Sequence, residues 1–365
     1  MRHPVTYFVA LVIALTVVGG FYLGGFGFYA VPIAGFVLLP PIDVWRGHSR
    51  WPSEKALARL SDRAARLFER ALPLAAWTSI GLLAWALWAV SVTPLAWWQL
   101  LGLILSIATT SGLIGIVVAH ELMHRSRPGQ RRLGFLLMAL VGYAHFCVEH
   151  VRGHHARVAT REDPATARAG ESIYAFVPRS IFQGLVSGWR LEAERLRRVG
   201  RPVLSVHNDI LVWHLFTLAL ALAIWWLLGP TSLLLFVAQA VLAVTLLEMI
   251  NYIEHYGLLR TRGPDGAFER VRPAHSWNSS HLLTNVNLFN LGRHSDHHQQ
   301  SNRPFYKLRH HDEAPQLPYG YSGMFLLALV PPLWFRIMDS ELAAFAARGQ
   351  AAVDEAPRSA TLRAQ

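Results

Sequence analysis

The sequence predicts an all-α integral membrane protein, with six transmembrane helices and a cytoplasmic, helical, histidine-rich region. Three observations carry that expectation. The 365 residues are 53% hydrophobic and only 16% charged, with a mean hydropathy of +0.28, whereas a soluble domain usually holds about 25% charged residues. Apolar runs approaching the ~20 residues that a span requires recur in closely spaced pairs. Histidine, with 18 copies, is over-used, and half of the copies fall in four tight groups.

The first pair of runs is 5–23 and 26–42, joined by Gly24-Gly25. The second is 71–90 and 97–119, joined by the uncharged 91–96. The third is 210–228 and 232–250, joined by 229–231. The segments between pairs differ sharply from these joints: 43–70 holds seven Lys/Arg and 125–207 holds fourteen Arg. Cytoplasmic loops collect such residues, so both segments, and both termini, are expected in the cytoplasm, with a bacterial inner membrane as the setting. The first run lacks a small-residue cleavage pattern after it and reads as a retained span rather than a signal peptide.

Within 53–72, Leu57, Leu60, Ala64, Leu67 and Phe68 recur at helical spacing. That fits either an amphipathic helix on the membrane surface or a packed connector. The runs 133–148 and 324–337 are short, and the second contains Pro331-Pro332. Each fits a re-entrant, interfacial or protein-buried segment. Residues 1–343 read as one membrane-embedded domain and 344–365, rich in Ala and Arg, as a loose tail.

Other classes are excluded early. The single Cys147 rules out an internal disulfide framework and cysteine-based zinc or iron–sulfur sites. A net charge of +11 invites a nucleic-acid reading, but the basic residues lie in blocks between apolar runs, as topology signals do. No nucleic-acid partner is therefore expected; membrane lipid is.

The histidine groups carry the chemistry. His120-Glu121-Leu122-Met123-His124 directly follows the fourth run, and its i, i+4 spacing sets both imidazoles on one helix face. In Glu149-His150-Val151-Arg152-Gly153-His154-His155, the pair His150 and His154 repeats that spacing, while His155 points elsewhere and is free to reach a second metal. The third group centres on His255, beside Glu254 at the inner end of the sixth run. The fourth is His294, His297 and His298, around Asp296. All four fall on the side that the charge bias assigns to the cytoplasm, so they can converge. One i, i+4 pair arises often by chance; three multi-histidine groups on one membrane face do not.

Imidazole suits Zn, Cu, Fe and Ni, but nine grouped histidines exceed the four ligands of a tetrahedral zinc site. They fit two metals of higher coordination number with open positions. Glu121, Glu149, Glu254 and Asp296 adjoin these histidines and are candidate acceptors for ring N–H groups, with ordinary ion pairs as the plain alternative. The other histidines default to structural roles; His275 and His281, near the fourth group, are the first exceptions to consider. His120–His124 is also a literal H-E-x-x-H, the pattern of a zinc protease, but that needs only one further ligand and leaves the second and fourth groups unexplained. A metal transporter would place ionisable residues in mid-bilayer, and the runs are nearly free of them.

The pattern His-x3-His, His-x3-His-His, His-x2-His-His resembles the membrane fatty acid desaturase and hydroxylase superfamily. Within it, NYIEHYGL at 251–258, RHSDHH at 293–298, VATREDPATAR at 158–168 and WNSSHLLTN at 277–285 are similar to the alkane 1-monooxygenase family, which includes xylene and cymene monooxygenases. The likeness runs from the second span to about Arg336. It implies six spans and two non-haem Fe ions held by His120, His124, His150, His154, His155, His255, His294, His297 and His298. It also implies O2 as co-substrate and hydroxylation of the terminal or methyl carbon of a hydrophobic small molecule, foremost a medium-chain n-alkane to a primary alcohol. The alternatives are an alkyl-aromatic (xylene or cymene) methyl group, fatty acyl desaturation and, more remotely, the H-E-x-x-H protease. No haem, flavin or nicotinamide motif is present, so electrons come from an external carrier, by the resemblance a rubredoxin or a ferredoxin/reductase-type donor. Arginines in 190–201 are placed to steer an acidic carrier, or equally to mark topology or touch anionic lipid. Trp85, Trp88, Phe28 and Phe36 are bulky enough to limit chain length, though each singly reads as packing or lipid-facing. The chain departs from the family at Arg125, where Lys is usual, at Gly292 for Gln and at Gln299 for Ala. After Asp43 (VWRGHSRWPSE), the acidic run common there is missing.

Overall fold

A computed structural model describes residues 4–355, and among them the chain is helical, with isolated β-bridges and no strand. Six helices are long and apolar enough to cross a membrane: α1 (Pro4–Leu23), α2 (Gly25–Arg46), α3 (Asp62–Val92), α4 (Trp97–Met123), α8 (Asp209–Leu228) and α9 (Pro230–His255). The protein is an integral membrane protein. Between α4 and α8 lie α5 (Pro128–Ala139), α6 (146–157) and α7 (Ile173–Arg198); after α9 come α10 (Leu282–Asn287), α11 (His294–Gln299), α12 (Tyr321–Ala328) and α13 (Pro331–Glu355).

The first and third pairs of spans are hairpins whose joints hold left-handed glycines. Gly24 and Gly25 have φ 72° and 53°, and Gly229 has φ 86° ahead of Pro230, a conformation without steric cost only for glycine. The first hairpin is also tight: Gly20 and Gly27 meet backbone to backbone, so a Cβ on either would collide with the other. Gly102 of α4 fits the same way against Phe28 and Tyr29.

Several helices outrun the apolar runs that announce them. α3 starts at Asp62, where the Ser61 side chain accepts the Ala64 N–H, a standard N-cap. The periodic stretch before residue 72 is thus a packed connector rather than a surface helix: Phe68 and Leu72 are buried, and Phe68 stacks on Tyr306 with centroids 4.9 Å apart. Likewise α4 continues through His120. Neither ambiguous run is a span. The first divides into α5, whose Gly134 lies against Ala119 and Met123 of α4, and the start of α6. The second divides at Leu329 and Val330 between α12 and α13. α13 runs on to Glu355 through the expected boundary at 343, because Ala343, Ala344, Ala346 and Ala347 are strong helix formers; residues 356–365 lie outside the described residues.

Apart from a π turn at Ala34–Leu38 in α2, two π turns, in which N–H groups reach back five residues instead of four, lie in helices that carry the grouped histidines. One is Ser111–Ile116 within α4, where Gly112 lets α9 approach through Ala243 and Leu246. The other is His150–His154 in α6.

Candidate metal centre

Four elements bring all nine grouped histidines together: the end of α4, α6, the last residue of α9, and α11. Ligand-type nitrogens of His120, His124, His150 and His297 lie within 4.8 Å of one another, and so do those of His154, His255, His294 and His298. His155 joins the first set, with its Nε2 3.1 Å from Nε2 of both His150 and His297.

The division within α6 differs from the spacing argument. The rings of His150 and His154 stack with centroids 5.1 Å apart but serve different sets; His150 keeps company with His155, and His154 joins the other set. The π turn is the reason, since it sets residues five apart in register. In α11, His294 and His298 pair at i, i+4 with Nε2 atoms 2.8 Å apart, and His297 serves the first set.

The residues fit metal ions. His298 Nε2 lies 2.8 Å from His294 Nε2 and 3.2 Å from His154 Nε2, and His294 Nε2 is 3.2 Å from His255 Nε2. Metal–imidazole bonds of about 2.0–2.1 Å at right angles set neighbouring nitrogens about 2.9 Å apart. The buried Nε2 atoms of His120 and His124 have no hydrogen-bond partner in the protein; orphaned buried polar atoms are rare without a ligand. Burial also keeps the rings neutral, the ligating form. It lowers the His124 imidazole to about 3, with His154 and Arg125 adding to the effect. It drives His150, His155, His294, His297 and His298 well below the usual imidazole range, with neighbouring histidines reinforcing it.

Among the acids, Asp163 accepts the His154 Nδ1–H at 2.9 Å, which leaves the His154 Nε2 lone pair directed at His298. Burial opposes ionisation of Asp163, yet His154 and Thr166 hold its carboxyl below the ordinary value. Asp163 belongs to the quoted stretch 158–168, but no spacing rule singles it out. The four acids chosen by adjacency are arranged differently. Glu121 accepts from Arg125 at 2.7 Å and from the Phe305 N–H at 3.0 Å. Glu149 pairs with Arg157 at 2.7 Å. Asp296 accepts from Arg303, His311 and the Arg309 N–H. Glu254 alone touches a grouped histidine, with Oε2 3.1 Å from His294 Nε2, while its Oε1 accepts the Tyr321 hydroxyl at 2.5 Å. His275 accepts the Arg272 N–H and stays outside both sets.

The two faces of the centre differ. On the membrane side, α1, α2 and α4 enclose a cavity of about 250 Å³ lined by Val12, Ile13, Val31, Leu39, Leu113 and Ile114, with Asn287 and Ser322 also on its wall. Ile114 precedes His120 by six residues, roughly 9 Å along a helix, and Val117, Leu288 and Leu291 surround a small void beside His120 and His297. None of the four bulky aromatics proposed as chain-length limits lines this cavity: Phe28 and Trp85 pack on Phe21, Phe36 packs on Phe325, and Trp88 is exposed. On the opposite side, His124 lies in an open recess with Arg125, Arg131, Ser301 and Asn302. His124 and His155 are the half-buried members of the nine; the other seven are buried.

A sequence model of the fatty acid desaturase family matches residues 95–328. Alkane 1-monooxygenase 1 of Pseudomonas aeruginosa is 49% identical over 267 residues, covering 73% of this chain and 70% of that protein. Alkane 1-monooxygenase 2 of the same organism is 45% identical over 316 residues, or 85% and 82% of the two chains. The hydroxylase component XylM of a Pseudomonas putida xylene/toluene monooxygenase is 33% identical over 240 residues, or 66% and 63%.

Proposed function

Because the chain belongs to the fatty acid desaturase family, among the alkane 1-monooxygenases, we propose that it hydroxylates the terminal carbon of a medium-chain n-alkane with O2. The observation that carries this reading is the pair of facing imidazole sets at the end of an apolar, bilayer-level cavity. Under it, His120, His124, His150, His155 and His297 hold one iron, and His154, His255, His294 and His298 hold the other. When bound, the irons activate O2 and supply the oxidising power for the C–H bond. One O2, two electrons and two protons then convert the alkane to an alcohol and one water.

The protein's own residues supply placement. Leu113 and Ile114 align the chain in the cavity, and Val117, Leu288 and Leu291 keep water from the approach to His120 and His297. Asp163 fixes the tautomer of His154, a task whose loss typically costs 10–100-fold in metal affinity or activity. Electrons arrive from an external carrier, for which a rubredoxin or a ferredoxin/reductase-type donor is proposed. The recess at His124, with Arg125 and Arg131, favours an acidic one, and turnover with it is expected to weaken as salt rises. The orientation proposed is that of a bacterial inner-membrane protein with the imidazole end and both termini in the cytoplasm.

Metal content of the detergent-purified protein tests the assignment. About two irons per chain are expected, falling in His294→Ala and His255→Ala. One zinc per chain, indifferent to either change, would falsify it and favour the H-E-x-x-H protease. Turnover of octane against xylene then separates the alkane from the alkyl-aromatic reading, and an alkene in place of an alcohol would indicate desaturation.

A further inference from the structure

A further imidazole pair lies outside the nine. His48 follows Gly47 at the end of α2, within the stretch that departs from the family's acidic pattern, and His281 immediately precedes α10. The two segments run antiparallel there: the Ser49 N–H donates to the Ser280 carbonyl at 2.8 Å and the Leu282 N–H to the Gly47 carbonyl at 3.1 Å. That bridge sets His48 Nε2 3.3 Å from His281 Nε2, with the rings crossed at 88°. His281 Nδ1 is held at 3.2 Å by the Ser279 hydroxyl.

Two readings of this contact are available. An N–H···O hydrogen bond prefers about 2.7–3.2 Å and N–H···N bonds run slightly longer, so 3.3 Å is at the long end for a plain imidazole–imidazole hydrogen bond. Two metal–nitrogen bonds of about 2.0–2.1 Å at the tetrahedral angle set the nitrogens about 3.3–3.4 Å apart. The oriented Nδ1 on Ser279 is the outer hydrogen bond that imidazole ligands usually have. Burial, helped by His48, lowers the His281 imidazole to about 4, so it stands neutral. His281 is buried and His48 is exposed, which leaves solvent access for the remaining ligand positions.

We propose that His48 and His281 form a third metal site, separate from the nine-histidine centre, for a borderline divalent ion of the zinc class, with water completing a tetrahedron. The ion would clasp the end of α2 to the loop that supports the fourth histidine group. In that loop the Ser279 N–H donates to the Gly292 carbonyl at 2.9 Å, and Arg293, next to His294, donates to the Ser280 hydroxyl at 2.7 Å. Occupancy would therefore stiffen the support of His294 without entering the centre itself.

The test uses purified full-length protein carrying its resident metal, exposed to a modest excess of Zn²⁺ and desalted, with iron and zinc counted in the same sample. One added zinc per chain with unchanged resident metal is expected, together with a higher melting temperature and a zinc absorption-edge signature of two imidazoles. His48→Ala and His48→Gln should each lose the added zinc and the melting shift while keeping the resident metal. His281→Ala should do the same if it folds. Absence of added zinc in the unmodified protein, equal uptake by the His48 variants, or zinc gained only as resident metal is lost would each overturn the proposal. Failure of the nine-histidine assignment appears separately, as resident metal that is not iron.

Discussion

Asp163 holds His154 through a ring nitrogen at 2.9 Å yet has no periodic relation to any histidine. It arrives through a loop in which Ala159 adopts φ 57° and Thr166 binds both the Ala159 N–H and the Asp163 carboxylate. A helix advertises its faces by spacing; a loop does not, which is why adjacency favoured Glu121, Glu149 and Asp296, and why those acids turn to arginines instead. The convergence of the histidines, by contrast, was legible, because their groups all fall at one end of the apolar runs, and the structure brings the nine together. Asp163→Ala should weaken metal retention or turnover by about 10–100-fold, with Asp163→Asn, which still accepts the Nδ1–H, losing less. Titration of the metal-depleted variants reads the difference; equal behaviour of Ala and wild type would remove Asp163 from its assigned task.

At the scale of the element, hydropathy located all six spans but cut several of them short. Apolar runs stop at the first charged residues, whereas the hydrogen-bond ladder continues; α3 begins at Asp62 and α4 ends at Met123. The π turns were invisible for a related reason. A four-residue spacing looks the same whether the backbone winds by 3.6 residues or wider, so the partnering of His150 with His155 needed coordinates. The π turn in α4 matters for selectivity, because Leu113 and Ile114, both within it, line the cavity. Ile114→Phe adds a ring to a space of about 250 Å³. It should lower kcat/KM for the longest accepted alkane by about tenfold or more while sparing shorter ones, on the scale of one to several methylenes in an apolar pocket. A competition assay across chain lengths with iron content unchanged checks it; a uniform loss would place the wall elsewhere.

For the whole molecule, the charge bias and the histidines point to the same end of the bundle by independent routes, and the proposed orientation rests on the first of these. Val206, 83% exposed beyond α7, belongs on the proposed cytoplasmic side, and Thr231, exposed in the first turn of α9, on the other. Since Cys147 is buried, Thr231→Cys should react with an impermeant maleimide on intact cells, and Val206→Cys only after permeabilisation. The reverse pattern would invert the protein in the membrane.

Under the proposed assignment, neither iron has a complete set of ligands until α11 exists, because His297 closes one set and His294 with His298 the other. By then the last span, α9, has already left the ribosome. Completion of both sets is thus a late event of biogenesis: a chain cut after α9 would carry every transmembrane helix but only four histidines of one set and two of the other.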